Sequence, residues 1–154
     1  MNKNIIFSIC KATVIIAVII TGLSSCKSDP KTPEKTQMQS VMEVHDAVMP
    51  KMGTIGRLVK ELGIKKDSLS ALETPNETAI QKIEIGLDSL KNGHKLMMDW
   101  MKDFGSQFTA EEILKGKELS AEKKIALSKE AIKVAKMEAA INGSIDFGEA
   151  LLAQ

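Results

Sequence analysis

A cysteine that follows an apolar run and two small residues limits which part of this chain can fold. The four residues 23–26 (LSSC) come directly after the apolar stretch 12–22 and directly before a polar stretch that contains proline. A basic start, an apolar middle, small residues and a cysteine are typical of a bacterial lipoprotein signal peptide. The sequence therefore predicts that residues 1–25 are removed and that Cys26 becomes the lipidated first residue of the mature chain.

Each part of this pattern has a physical reason. Lys3 places a positive charge at the start, and such charges stay on the cytoplasmic side of the membrane. Lys11 interrupts the apolar stretch and leaves a run of about 12 residues, whereas a membrane-spanning helix needs roughly 20. Acyl chains such as palmitate on Cys26 would anchor the chain at about 0.8 kcal/mol per buried CH2 group. The alternative is an uncleaved signal anchor over residues 5–23.

Residues 26–39 are expected to form a flexible tether that starts at the lipidated cysteine. Pro30 and Pro33 resist helix formation, and the other side chains of this stretch are mostly charged or polar. Lys27, directly after the cysteine, favours the outer membrane, facing the periplasm, by analogy with lipoprotein sorting in other bacteria. Residues 40–154 then form one domain of ordinary size, held close to a membrane of the bacterial cell envelope.

The composition argues against several classes of function. The chain has 21 basic and 20 acidic residues, and Lys3 and Lys11 are removed with the signal peptide, so the excess of positive charge that nucleic acid binding needs is absent. One tryptophan, four phenylalanines and no tyrosine give little support for stacking on bases or sugars. The mature domain keeps no free thiol, because Cys10 is removed and Cys26 is lipidated. No nucleophile or phosphate-binding motif is present, so we do not expect an enzyme.

Apolar residues recur at steps of three and four along the domain, and no segment alternates at period two. This pattern predicts an all-α, up-down bundle of three long helices plus one short helix. The first helix is expected from Met38 to Leu62 with a coiled-coil seam, and we expect Pro50 to kink it. Gly63 is expected to end it.

Capping signals predict where the remaining helices begin. The second helix is expected to start at Thr74, followed by Pro75 and Glu77, and to end at Gly105. A capping box that starts at Thr109 predicts the short helix, which runs to about residue 115. The third long helix is expected from Ser120 to near the C-terminus.

Both histidines of the chain lie on the predicted apolar seams, and an antiparallel hairpin of the first two helices brings them to similar levels. His45 and His94 are then expected roughly one helical turn apart along the bundle. Methionines from both helices gather at the same level. The predicted ligand set consists of two imidazoles and four thioethers: His45, Met49, Met52, His94, Met97 and Met98.

Imidazole and thioether ligands without thiolate suit Cu(I) better than zinc, calcium or magnesium. A b-type haem held by a histidine and a methionine is a less favoured alternative. Covalent c-type haem is excluded because no Cys-x-x-Cys-His motif is present. The competing interpretation is purely structural: methionine is a flexible core filler, and a histidine on an apolar seam is usually neutral and hydrogen-bonded.

Two segments resemble a known family. They are residues 44–52 (VHDAVMPKM) and residues 94–104 (HKLMMDWMKDF), and they look like parts of short Bacteroidota lipoproteins that are often labelled "viral A-type inclusion protein". The resemblance covers the signal peptide and most of the helical domain. It implies a helical lipoprotein of the cell envelope, and it carries over no functional residues.

Together these patterns predict a lipid-anchored envelope protein that binds a ligand or partner rather than transforming a substrate. The first hypothesis is binding or sequestration of Cu(I) through the cluster of histidines and methionines. The alternative is a structural or adaptor lipoprotein with a methionine-rich core and no metal. Its expected partners are the membrane, through the lipid, and another envelope protein.

Overall fold

The computed structural model describes Thr36–Gln154, and this part of the chain is an all-α bundle without strands, as the sequence predicts. The predicted signal peptide, Cys26 and the tether as far as residue 35 lie outside the described residues. Of the helices in Thr36–Gln154, none combines the length and the apolar character that crossing a membrane requires.

Three long rods build the bundle, and the first rod is divided in two. The elements in chain order are α1 (Gln37–Val48), a 3-10 segment (Met49–Lys51), α2 (Met52–Ser70), α3 (Glu77–Gln107), α4 (Ala110–Leu114) and α5 (Ala121–Leu152). The most extensive contact is between α3 and α5, and α2 packs against both of them. α1 packs mainly against α5.

Pro50 interrupts the first rod at the predicted place. It lies in the 3-10 segment, because proline has no amide hydrogen and its ring clashes with the preceding helical turn. The predicted stop at Gly63 is wrong, since α2 continues to Ser70. A helical glycine costs only about 1 kcal/mol, and the burial of Leu62 and the partial burial of Leu69 on either side outweigh that cost.

Polar caps start the helices, although not always at the predicted residue. Thr36 and Gln39 form a capping box, so α1 begins inside the stretch that was predicted to be tether as far as residue 39. α3 is capped by Asn76 instead of Thr74, and it continues two residues past the predicted end at Gly105. The predicted starts at Thr109 and Ser120 are confirmed.

A row of four rings joins α1 to α3. His45 lies 5.5 Å from Trp100 between ring centroids, Trp100 lies 4.7 Å from Phe104, and Phe104 lies 4.8 Å from Phe108. Stacked or tilted rings at these separations stabilise a fold beyond the area they bury. α1 and α3 otherwise contact each other little. The row of rings is therefore the main link between these two helices.

Candidate functional site

Among the predicted ligands, His45 is the one whose ring is held by both a stacking contact and a hydrogen bond. Its side chain is 15% exposed, and its ring stacks on Trp100 with 29° between the two planes. The Nδ1 atom lies 2.8 Å from Oδ1 of Asp46. A carboxylate at this distance favours the tautomer with hydrogen on Nδ1 and leaves the lone pair on Nε2. Metal-binding histidines are commonly oriented in this way.

His94 does not lie on the buried seam, and that prediction is wrong. Its side chain is exposed, and the neighbouring Gly93 is buried in its place. A Cβ atom at Gly93 would lie 3.1 Å from Oγ of Ser144 on α5, so α3 and α5 approach too closely here for a large side chain. Trp100, which does face His45, stands six residues and about 9 Å farther along α3 than His94.

The four predicted methionine ligands occupy different environments. Met97 is fully buried, Met52 and Met98 are half-buried, and Met49 is 37% exposed. The structure therefore distributes the six predicted ligands over core, flank and surface positions instead of gathering both imidazoles in one sulfur-lined layer. In Thr36–Gln154 no group of three or more histidine, cysteine, aspartate or glutamate side chains is placed to hold a metal ion.

Glu130 is a buried charge that the sequence reasoning missed. It is 1% exposed, and its Oε1 accepts hydrogen bonds from Gln107 at 3.1 Å and from Lys133 at 2.8 Å. The hydrogen bond from Lys133 to Glu130 raises the pKa of the lysine above its usual value. The signal was present in the sequence, because Glu130 stands three residues after Leu127 and four before Val134, on the same apolar side of α5.

Two buried polar atoms lack a hydrogen-bond partner among the described residues: Nε1 of Trp100 and Oε2 of Glu130. Buried polar groups without partners are uncommon in native proteins. Trp100 lies on α3, and Glu130 on α5 accepts a hydrogen bond from Gln107 at the end of α3, so both atoms belong to the two helices with the most extensive contact.

A second charged cluster lies where α4 meets the start of α5. Glu112 is 8% exposed, and its carboxylate accepts hydrogen bonds from Nζ of Lys123 at 2.6 and 2.8 Å. The backbone amide of Thr109 also donates to it at 2.8 Å. These bonds, led by the one from Lys123, lower the pKa of Glu112 to about 2, so the carboxylate stays ionised at any ordinary pH.

An apolar groove of about 350 Å³ lies next to this cluster. Its floor contains the apolar side chains of Met38, Leu119 and Leu127, and the rest of its lining is polar or charged apart from Gly116: Thr36, Gln37, Glu112, Lys117, Glu118 and Lys124. A smaller groove of about 280 Å³ runs between α3 and α5 beside Trp100. Neither histidine lines either groove.

Comparison with known proteins identifies no relative. No protein-family model matches the chain, and no curated protein or solved structure is significantly similar to it. Its function is therefore inferred from its own residues and their positions.

Proposed function

We propose that this chain is a lipid-anchored adaptor of the bacterial cell envelope that docks another envelope protein close to the membrane. One observation carries the proposal: the apolar groove of about 350 Å³ lies at the end of the bundle that continues toward Cys26. Thr36, in the groove wall, stands ten positions after Cys26. An extended chain spans at most about 3.6 Å per residue, so the anchor and the groove are within about 36 Å of each other.

The chemistry of the groove favours a protein segment over a lipid surface. Its lysines are balanced by acids, because Lys117 pairs with Glu111 at 3.0 Å and Lys124 pairs with Glu118 at 3.4 Å. A surface that attracts anionic lipid carries an excess of unpaired lysine and arginine. An apolar floor with a balanced, polar rim is instead the usual anatomy of a protein interface.

The test places a photo-reactive amino acid in the groove rim at Lys117 and, as a matched control, at the exposed Lys91 on α3. We expect irradiation of living cells to link one envelope protein from position 117 and not from position 91. The same product should disappear when Leu119→Glu puts a charge into the apolar lining, and when Cys26→Ser removes the anchor. No product at 117, an equal product at 91, or a product that survives Leu119→Glu would contradict the proposal.

The second candidate function is Cu(I) binding, with His45 as the single imidazole ligand. The observation that favours it is the hydrogen bond between His45 and Asp46, which leaves Nε2 as the free nitrogen. Met42 precedes His45 by three residues and Met49 follows it by four, so both thioethers lie along the same side of the first rod. Two thioethers and one imidazole form a soft ligand set.

This candidate is tested by titrating Cu(I) into the purified protein against a competing chelator. His94→Ala is the matched control for His45→Ala, because it removes the exposed imidazole and leaves the stacked one. We expect a dissociation constant below the micromolar range that weakens at least tenfold in His45→Ala and by less than twofold in His94→Ala. Micromolar or weaker binding, or equal effects of the two substitutions, would exclude the copper site.

A further inference from the structure

Leu114, the last residue of α4, is the most exposed large apolar residue in the part of the chain that the structure describes. It is 79% exposed, against 61% for Ile125, the next in order. The two residues before it turn inward, since Glu112 accepts hydrogen bonds from Lys123 and Ile113 packs against the core. The short helix therefore buries its other large side chains and leaves the leucine outside.

A hydrogen-bonded turn fixes the backbone around this leucine. The amides of Lys115 and Lys117 both donate to the carbonyl oxygen of Glu111, at 3.0 and 3.3 Å. Gly116 has a φ of 67°, the left-handed conformation in which glycine commonly ends a helix. Residues 114–117 (LKGK) form this turn, which we name the α4 tip. Turning the leucine toward the core would break these hydrogen bonds, so its exposure follows from the backbone.

The α4 tip lies at the end of the bundle where the chain leads back to Cys26. Gly116 and Lys117 line the same groove as Thr36, which stands ten positions after Cys26 and so at most about 36 Å from it. α5 alone has 32 residues and is about 48 Å long. A chain anchored at Cys26 therefore cannot stand on its opposite end, because Thr36 would then lie farther from the membrane than the tether reaches.

We infer that the α4 tip rests on the lipid bilayer that holds the anchor, with Leu114 among the acyl chains and Lys115 among the headgroups. The inference depends on the lipid anchor of the proposed function. An apolar side chain enters the boundary between headgroups and acyl chains, while a neighbouring lysine keeps its charge at the level of the phosphates. Within Thr36–Gln154, Lys115 is exposed and forms no ion pair with another described residue.

The charges next to the α4 tip are compatible with this contact. Glu111 pairs with Lys117 at 3.0 Å, and Glu118 pairs with Lys124 at 3.4 Å. These two carboxylates are therefore neutralised where the tip would approach the lipid phosphates, and Lys115 adds a positive charge. One leucine and one lysine attract a membrane only weakly, so the tip orients a domain that the acyl chains already hold.

A dye beside the α4 tip tests this orientation. The lipidated chain is expected to keep no free thiol, so a single cysteine can be labelled at Ala110, one helical turn before Leu114. The matched control is a cysteine at Ala71, next to Leu72, which is 53% exposed at the opposite end, where α2 ends near the last turn of α5. Each protein, isolated with its lipid, is inserted into phosphatidylcholine vesicles that contain lipids with a nitroxide on the acyl chain.

We expect the nitroxide to quench the dye at position 110 at least twofold more strongly than the dye at position 71. Leu114→Gln should remove most of this difference, because it takes the apolar side chain out of the contact. Leu72→Gln should leave the difference unchanged. Equal quenching at the two positions, or a difference that survives Leu114→Gln, would overturn the inference.

Flotation of the vesicles separates a failure of the inference from a failure of the anchor. A labelled protein that does not float with the vesicles has no lipid anchor, which would contradict the proposed function together with the inference. A protein that floats and shows equal quenching at both positions is anchored without contact at the α4 tip. That result would overturn the inference and leave the anchor intact.

Discussion

The imidazole of His45 stacks on the indole of Trp100, with ring centroids 5.5 Å apart, and this contact fastens α1 to α3. α1 packs mainly on α5, so the ring contact is a principal link between the first and second rods at this end. The hydrogen bond between Nδ1 of His45 and the carboxylate of Asp46 also fixes the orientation of the imidazole ring. The residue therefore contributes to stability in addition to being the best-placed candidate ligand.

Removing the ring of His45 should destabilise the fold more than removing that of His94. We expect His45→Ala to lower the free energy of unfolding by about 1 to 2 kcal/mol, because it removes a stacked, largely buried ring. His94→Ala changes an exposed side chain and should stay within about 0.5 kcal/mol. Urea unfolding followed by circular dichroism measures both. Equal losses would show that the stacking contact contributes nothing.

Glu112 should make stability depend on pH in the acid range. Its pKa in the folded chain is about 2, against 4.5 for an ordinary glutamate, so the folded state holds fewer protons than the unfolded state between these values. The stabilisation is present above about pH 4.5 and is lost as the pH falls toward 2. We expect the native chain to have a higher Tm than Glu112→Gln above about pH 4.5. This difference in Tm should become smaller as the pH falls from 4.5 to 2.

The matched control is Glu111→Gln, on the adjacent residue, which pairs with Lys117 at the surface. It should differ little from the native chain at any pH, because exposed ion pairs contribute little. A Tm difference between the native chain and Glu112→Gln that stays constant from pH 6 to pH 2 would show that the bonds from Lys123 and Thr109 do not favour the ionised carboxylate.

Two glycines of α5 should respond to alanine in opposite ways. Gly143→Ala should stabilise the chain by about 0.5 to 1 kcal/mol, because alanine favours helix and the added methyl meets no atom within 4 Å. At Gly148 the methyl would lie 3.2 Å from Leu90 and 3.4 Å from Leu58. Overpacking there costs about 1 to 3 kcal/mol. Urea unfolding should therefore rank Gly148→Ala clearly below Gly143→Ala, and the reverse order would contradict the packing.

Lys133 should matter more than its neighbour Lys136, although both side chains are exposed. Lys133 donates at 2.8 Å to Glu130, which is 1% exposed. Lys133→Ala leaves that buried carboxylate with one donor, and we expect a loss of about 1 to 3 kcal/mol. Lys136→Ala removes no such partner and should be nearly neutral. Similar unfolding midpoints for the two variants would refute a stabilising role of the pair.

The sequence predicts the rods of this bundle well, because their signals are local. Steps of three and four mark the buried sides, Pro50 marks the break, and the caps at Thr109 and Ser120 mark two starts. Each of these features depends on a few neighbouring residues. The predicted tether runs to residue 39, whereas the capping box of Thr36 and Gln39 starts α1 at Gln37.

The candidate site was harder to predict, because it depends on the distance between helices. Counting large apolar residues puts His94 on the seam, but the narrow contact between α3 and α5 accepts only Gly93. Glu130 carries no prediction from the sequence, although its position on the apolar side of α5 buries it. The close approach at Gly93 cannot be seen until the third rod has a fixed register against the second, whereas the spacing of Glu130 from Leu127 and Val134 is visible in the sequence.

Mass spectrometry of the protein isolated from the envelope tests the anchored adaptor most directly. We predict a mature chain that begins at Cys26 and carries acyl chains, and a Cys26→Ser variant that is neither processed nor lipidated. An isolated chain that retains Met1, or one that begins elsewhere without lipid, would contradict it.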